Sequence, residues 1–107
     1  MKIDSEFMSN EENLYFNDKE KFKYEELYCL WRTVFQFLLP RLKEFRKTVP
    51  DYPSKLGSNE NWKIVLDEII WFVETTLING HYIPYKKKER YLEAEKLFKE
   101  YFFHLWY

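Results

Sequence analysis

Apolar side chains return every three or four positions in three separate stretches of this chain, and each stretch predicts a helix. In the first, Leu27, Trp31, Val34, Leu38, Leu42, Phe45 and Val49 are separated by 4, 3, 4, 4, 3 and 4 positions. That spacing lines one face of a helix from about Tyr24 to Thr48. Pro40 falls inside the run. Proline lacks a backbone donor and its ring collides with the preceding turn, so a kink or a break is expected near Gln36–Leu39. Helix then resumes through Arg41–Lys47, with Arg41, Lys43, Glu44, Arg46 and Lys47 largely off the apolar face.

Residues 50–58, PDYPSKLGS, hold two prolines, a glycine and two serines and read as the clearest linker. Ser58 and Asn59 both have the side-chain oxygen that a helix start needs. The second helix runs from there to about Ile78. Trp62, Val65, Leu66, Ile69, Ile70, Phe72, Val73 and Leu77 make a wide apolar face, and Lys63, Asp67, Glu68 and Glu74 mark the polar side. Asn79-Gly80 ends it, since either residue tolerates a left-handed cap. After the loop GHYIPYKKK, a third helix is predicted from about Lys87 to the C-terminus. Its apolar face is Tyr91, Ala94, Phe98, Tyr101, Phe102 and Leu105, broadened at the end by Leu97, Phe103, Trp106 and Tyr107.

No stretch alternates with the period of two that a half-buried strand requires. The predicted fold is therefore all-α: a three-helix bundle over residues 21–107, its first helix kinked at Pro40. Connections of this length usually join antiparallel neighbours. Residues 1–20 are acidic, lack helical periodicity and read as a flexible arm, with Leu14, Tyr15 and Phe16 as an apolar patch able to dock on the body.

Composition sharpens this picture at one point. Of 107 residues, 46% are hydrophobic and 33% charged, as in a globular domain rather than a disordered chain. Aromatic residues make 21%, ten Phe, nine Tyr and four Trp. At roughly 150–250 Å² per buried ring, a small core cannot hold them all, which leaves some for a surface or a partner. The net charge of −1 gives no case for whole-domain attraction to a phosphate backbone or an anionic membrane. Apolar runs fall well short of the ~18–20 residues of a membrane span. Met1 to Asn10 does not read as a signal peptide. Cys29 is the single cysteine, so an internal disulfide and a cysteine metal cage are excluded and a cytoplasmic setting is expected.

Catalytic chemistry has little to stand on. His81 and His104 lack the HxxxH or HExxH spacing of a metal site, and two glycines cannot build a phosphate cradle. Cys29 has no neighbouring histidine and reads as an inert buried thiol. Asp67, Glu68 and Glu74 read as a solvated face, because nothing supplies the pocket and partner that acid–base catalysis needs. No metal, no cofactor and no enzyme activity are expected. Two features remain. Lys86, Lys87, Lys88 and Arg90, beside Tyr82, Tyr85 and Tyr91, could hold phosphates and stack bases, and Arg41, Lys43, Arg46 and Lys47 would extend that patch if the fold joined them. The aromatic tail from Tyr101 to Tyr107 covers more than one helical face, as protein interfaces do.

Trp31 with Leu39-Pro40-Arg41-Leu42-Lys43-Glu44-Phe45, then Tyr52-Pro53, Trp62 and Leu66-Asp67-Glu68-Ile69-Ile70-Trp71-Phe72, form one series of signals, closed by Leu97 through Trp106. Across about residues 28–107 this series resembles a family of small helical proteins encoded by tailed bacteriophages and mobile elements. Val73, standing before Glu74, departs from that family's pattern. The resemblance implies a helical fold and a phage setting, in the host cytoplasm, without assigning an activity or a site. Together with the surplus rings it leads to the expectation of a non-enzymatic protein-interaction module, a phage accessory factor that binds and inhibits a host or defence protein. The expected contact residues are Trp71, Phe103, Trp106 and Tyr107, followed by Tyr15 and Phe16. A second copy of the chain is also a candidate partner. The alternative is a nucleic-acid or nucleotide binder using Lys86, Lys87, Lys88 and Arg90.

Overall fold

The computed structural model describes residues 24–80 and 82–105. The arm expected over residues 1–20 lies outside them. Every regular element among the described residues is helical: α1 (Tyr24–Tyr28), α2 (Leu30–Thr48), α3 (Asn59–Asn79) and α4 (Tyr85–Tyr101), with short 3-10 turns at Ser54–Leu56 and Phe102–His104.

α3 starts and stops where its sequence directs. Ser58 takes an extended conformation and its hydroxyl accepts from the Asn61 N–H at 3.1 Å, a side-chain N-cap. At the other end Gly80 adopts φ +61°, open to glycine alone without strain, while its N–H closes on the Thr76 carbonyl at 2.8 Å. Between the caps the broad apolar face is buried, and Trp62, Leu66, Ile69 and Val73 are almost wholly removed from solvent. Thr75 and Thr76 are the buried polar members. Thr76 donates to the Phe72 carbonyl and shares a hydroxyl–hydroxyl bond with Tyr91, so its burial leaves no unpaired group.

α2 and α4 flank α3, each packed along it, while their own backbones never approach within 8 Å of each other. Arg46 on Asp67 and Phe35 on Phe72 place α2 antiparallel to α3. Trp62 on Tyr101 and Phe72 on Tyr91 do the same for α4. The flanks meet only through long side chains, as where the Phe35 and Phe98 rings stand edge to face at 5.9 Å. α3 is therefore a shared spine.

Several expectations need correction. Helix is unbroken over Gln36–Leu39 and runs through Pro40; the interruption lies at Cys29, between α1 and α2. Pro40 is exposed, and one residue on, the Arg41 guanidinium donates to the Phe37 carbonyl at 2.9 Å and sits 3.6 Å over the Phe37 ring. That side chain braces the turn that proline weakens. Leu27 and Val34 are exposed, and Phe35 and Leu39 pack against the core in their place. The linker contains a 3-10 turn, ended by Gly57 at φ +82°. α4 begins two residues early, at Tyr85 directly after Pro84, whose fixed φ suits a helix start. It ends at Tyr101 rather than continuing to the C-terminus, and Phe102 is partly exposed instead of lining the core.

Candidate interaction surface

A series of rings leads from the core to the surface at the C-terminal end of α4. Phe72 packs on Phe98 with centroids 5.2 Å apart, Phe98 meets Phe102 edge-on at 5.5 Å, and Phe102 meets Phe103 at 5.3 Å with planes at 90°. The change from α-helix to 3-10 after Tyr101 turns the last step outward. Tyr101 stays buried on Trp62, whereas Phe103 is 87% exposed. A ring left in water forgoes roughly 1.5–3 kcal/mol of burial, a loss that a partner would recover. Trp106 and Tyr107 lie outside the described residues, as do Tyr15 and Phe16, so of the expected contact set Phe103 and Trp71 are the members placed here.

Trp71 sits elsewhere and is already engaged. The Arg90 guanidinium lies 3.9 Å over its ring and donates to both Glu68 carboxylate oxygens, each at 3.1 Å, and Tyr91 abuts the ring edge-on. Trp71 and Arg90 thus join α3 to α4 through stacking and a two-pronged ion pair. The structure does not bring Trp71 to Phe103, and it engages Arg90 with Glu68 and Trp71 while the lysines before it stay exposed.

Those lysines form a second exposed surface where α3 turns into α4. Tyr82 donates its N–H to the Asn79 carbonyl, and Lys87 donates to the Pro84 carbonyl to open α4. Around this turn Ile78, Tyr82 and Tyr85 are 81%, 90% and 93% exposed, and Lys86, Lys87 and Lys88 are exposed beside them. No acidic residue occupies the first turn of α4. His81 lies outside the described residues.

The remaining charged groups are largely paired. Arg46 grips Asp67 at 2.6 and 3.1 Å, and that hydrogen bond raises the arginine further above its already high range. Lys43 pairs with Glu74, and Lys47 with Glu44. Of the second basic set, Lys43, Arg46 and Lys47 therefore answer carboxylates of α2 and α3 and Arg41 is held on Phe37, so they are engaged rather than free to extend Lys86–Lys88. Lys55 pairs with Glu100 and lies 5.1 Å over the Tyr101 ring, and the Glu100 hydrogen bond raises the lysine pKa. Asp67, Glu68 and Glu74 accordingly serve as ion-pair partners rather than as a free carboxylate face. Cys29 is only half-buried, at the break between α1 and α2. His104 is exposed against Tyr101. Among the described residues no three His, Cys, Asp or Glu side chains converge as a metal site, and no helix is long and apolar enough to cross a membrane.

Sequence reasoning missed a third apolar surface. Leu30 and Val34 are about half exposed on α2, on the same side as Phe37 and Arg41. The sequence pattern places Val34 in the core stripe and leaves Leu30 and Phe37 unassigned, although Leu30, Val34, Phe37 and Arg41 share a 4, 3, 4 spacing. Ile78 was also missed, hidden as the last apolar residue of a strongly apolar helix.

No protein-family model, no curated protein and no solved structure matches the chain.

Proposed function

We propose that this protein is a non-enzymatic interaction module whose contact surface is the aromatic C-terminal end. The observation that carries the reading is Phe103, held 87% in solvent at the head of a ring series anchored in the core. An anchored, exposed ring is the form that energetic centres of interfaces take, because little side-chain freedom is lost when a partner covers it. Trp106 and Tyr107 extend the same surface by sequence, and Tyr15 and Phe16 belong to the reading as a second, separate contact.

The resemblance to small phage-encoded proteins supplies the setting: an accessory factor in the host cytoplasm that binds and inhibits a host or defence protein, or that pairs with a second copy of itself. In this reading α2, α3 and α4 form one three-helix body with α2 bent at Pro40, and the body presents the tail. The test is capture from bacterial host lysate by the intact chain, set beside Phe103→Ser and Trp106→Ser variants, with light scattering to detect self-association. A protein retained by the parent chain and lost from both variants supports the proposal. A chain that stays monomeric and retains nothing specific overturns it.

A further inference from the structure

The turn between α3 and α4 has a composition unlike the rest of the molecule. From Thr75 to Lys88 there is no Asp or Glu, in a chain whose overall charge is −1. Tyr85, Lys86, Lys87 and Lys88 make the first turn of α4, so they encircle one helix end within about 5 Å of axial rise. Tyr82 and Ile78 stand on the approach to it. Among the described residues Lys86, Lys87 and Lys88 make no ion pair, although the basic residues further along α4, Arg90, Lys96 and Lys99, each find a carboxylate. Three cations in a first turn oppose the helix dipole, and the turn has no acidic residue or side-chain cap to offset them. Both tyrosines are at least 90% exposed, so neither ring is needed by the core.

We propose that this turn is a binding surface for single-stranded nucleic acid, with Lys86, Lys87 and Lys88 on phosphates and Tyr82 and Tyr85 as stacking platforms for bases. Loose cations beside exposed ring faces are what a flexible polyanion with flat bases requires, since every base offers a face to stack on. The surface fits the other polyanions less well. A duplex hides its base faces and spreads its charge along a track longer than this one turn. An anionic bilayer would gain roughly 1 kcal/mol per lysine and would find a single exposed aliphatic residue, Ile78, to insert. Arg90 is not part of the surface, because Glu68 and Trp71 hold it. Glu89, exposed one position on, sets the boundary of the positive field. The exposed Phe103 lies beyond the opposite end of α4, away from this turn.

The experiment is fluorescence anisotropy of a labelled oligo(dT) of about ten nucleotides, a length within the site sizes such surfaces use, titrated with the full chain. Three phosphate contacts predict an affinity that falls about twentyfold between about 50 and about 200 mM salt. The combined Lys86→Ala, Lys87→Ala and Lys88→Ala variant loses that salt dependence together with binding. Tyr82→Ala and Tyr85→Ala each weaken binding about fivefold or more while leaving the salt slope in place. Phe103→Ser changes neither, so this surface and the tail fail separately. Circular dichroism checks that the variants, all at exposed positions, keep their helix content. No binding at about 0.1 mM protein, the weak end of ordinary nonspecific affinity, overturns the proposal. So does binding that ignores both tyrosines, equal competition by polyglutamate, or uptake by phosphatidylserine vesicles in preference to the oligonucleotide.

Discussion

α3 and α4 are consecutive helices of similar length, 21 and 17 residues, yet α3 buries nine of its side chains and α4 only two, Ala94 and Tyr101. The difference follows from position. α3 has a helix on each flank and must be apolar around most of its circumference, whereas α4 has one neighbour and needs a single stripe. Helices of similar length therefore contribute unequally to stability, and the lysines and tyrosines at the start of α4 sit exposed, where packing makes little demand on them.

Breaking the spine should have the largest effect. Trp62→Ala empties a site that is 1% exposed and removes the ring on which Tyr101 packs, with an expected loss of about 3–5 kcal/mol in urea denaturation followed by circular dichroism. The seam with α4 comes next. Ala94 is as deeply buried as Trp62 although it is small, which marks a position with no room for a longer side chain. Ala94→Leu should cost about 1–3 kcal/mol by the same measurement, and a neutral outcome would mean that α4 can shift away from the spine. Arg90→Ala removes both the stack on Trp71 and the Glu68 pair, about half exposed, and should cost about 1 kcal/mol.

The smallest effect depends on pH. Glu100 raises the Lys55 pKa in the folded state, so the stabilisation from that pair is complete below the ordinary lysine value of 10.5 and is lost as pH rises through the folded value. Lys55→Gln should therefore melt slightly below the parent at about pH 7–9, with the gap closing as the lysine of the parent loses its proton.

The spine was the most legible element in the sequence, because chemistry marks both ends: a serine hydroxyl that accepts from Asn61, and a glycine at positive φ. The break at Cys29 was not legible. No glycine or proline announces it, and the periodic stripe runs straight across it. Pro40 does not break the helix as a proline can, since the turn continues through it and Arg41 donates to the Phe37 carbonyl beside it. Of the candidate surfaces, the surplus of rings was readable from composition, but which ring stays outside depended on the 3-10 turn after Tyr101. Arg90 looked equivalent to the lysines before it. Its partners, Glu68 and Trp71, lie some twenty residues away, beyond the reach of a local pattern.

One property of the packing reaches back to how the chain acquires its shape. Each pair of helices that packs backbone to backbone is also a pair of neighbours in the sequence. No large loop has to close before a contact forms, so little entropy is spent ahead of the first gain, and topology of this kind is associated with rapid assembly. As synthesis proceeds from the N-terminal end, α3 emerges with α2 already waiting, and its remaining apolar side stays bare only until α4 follows.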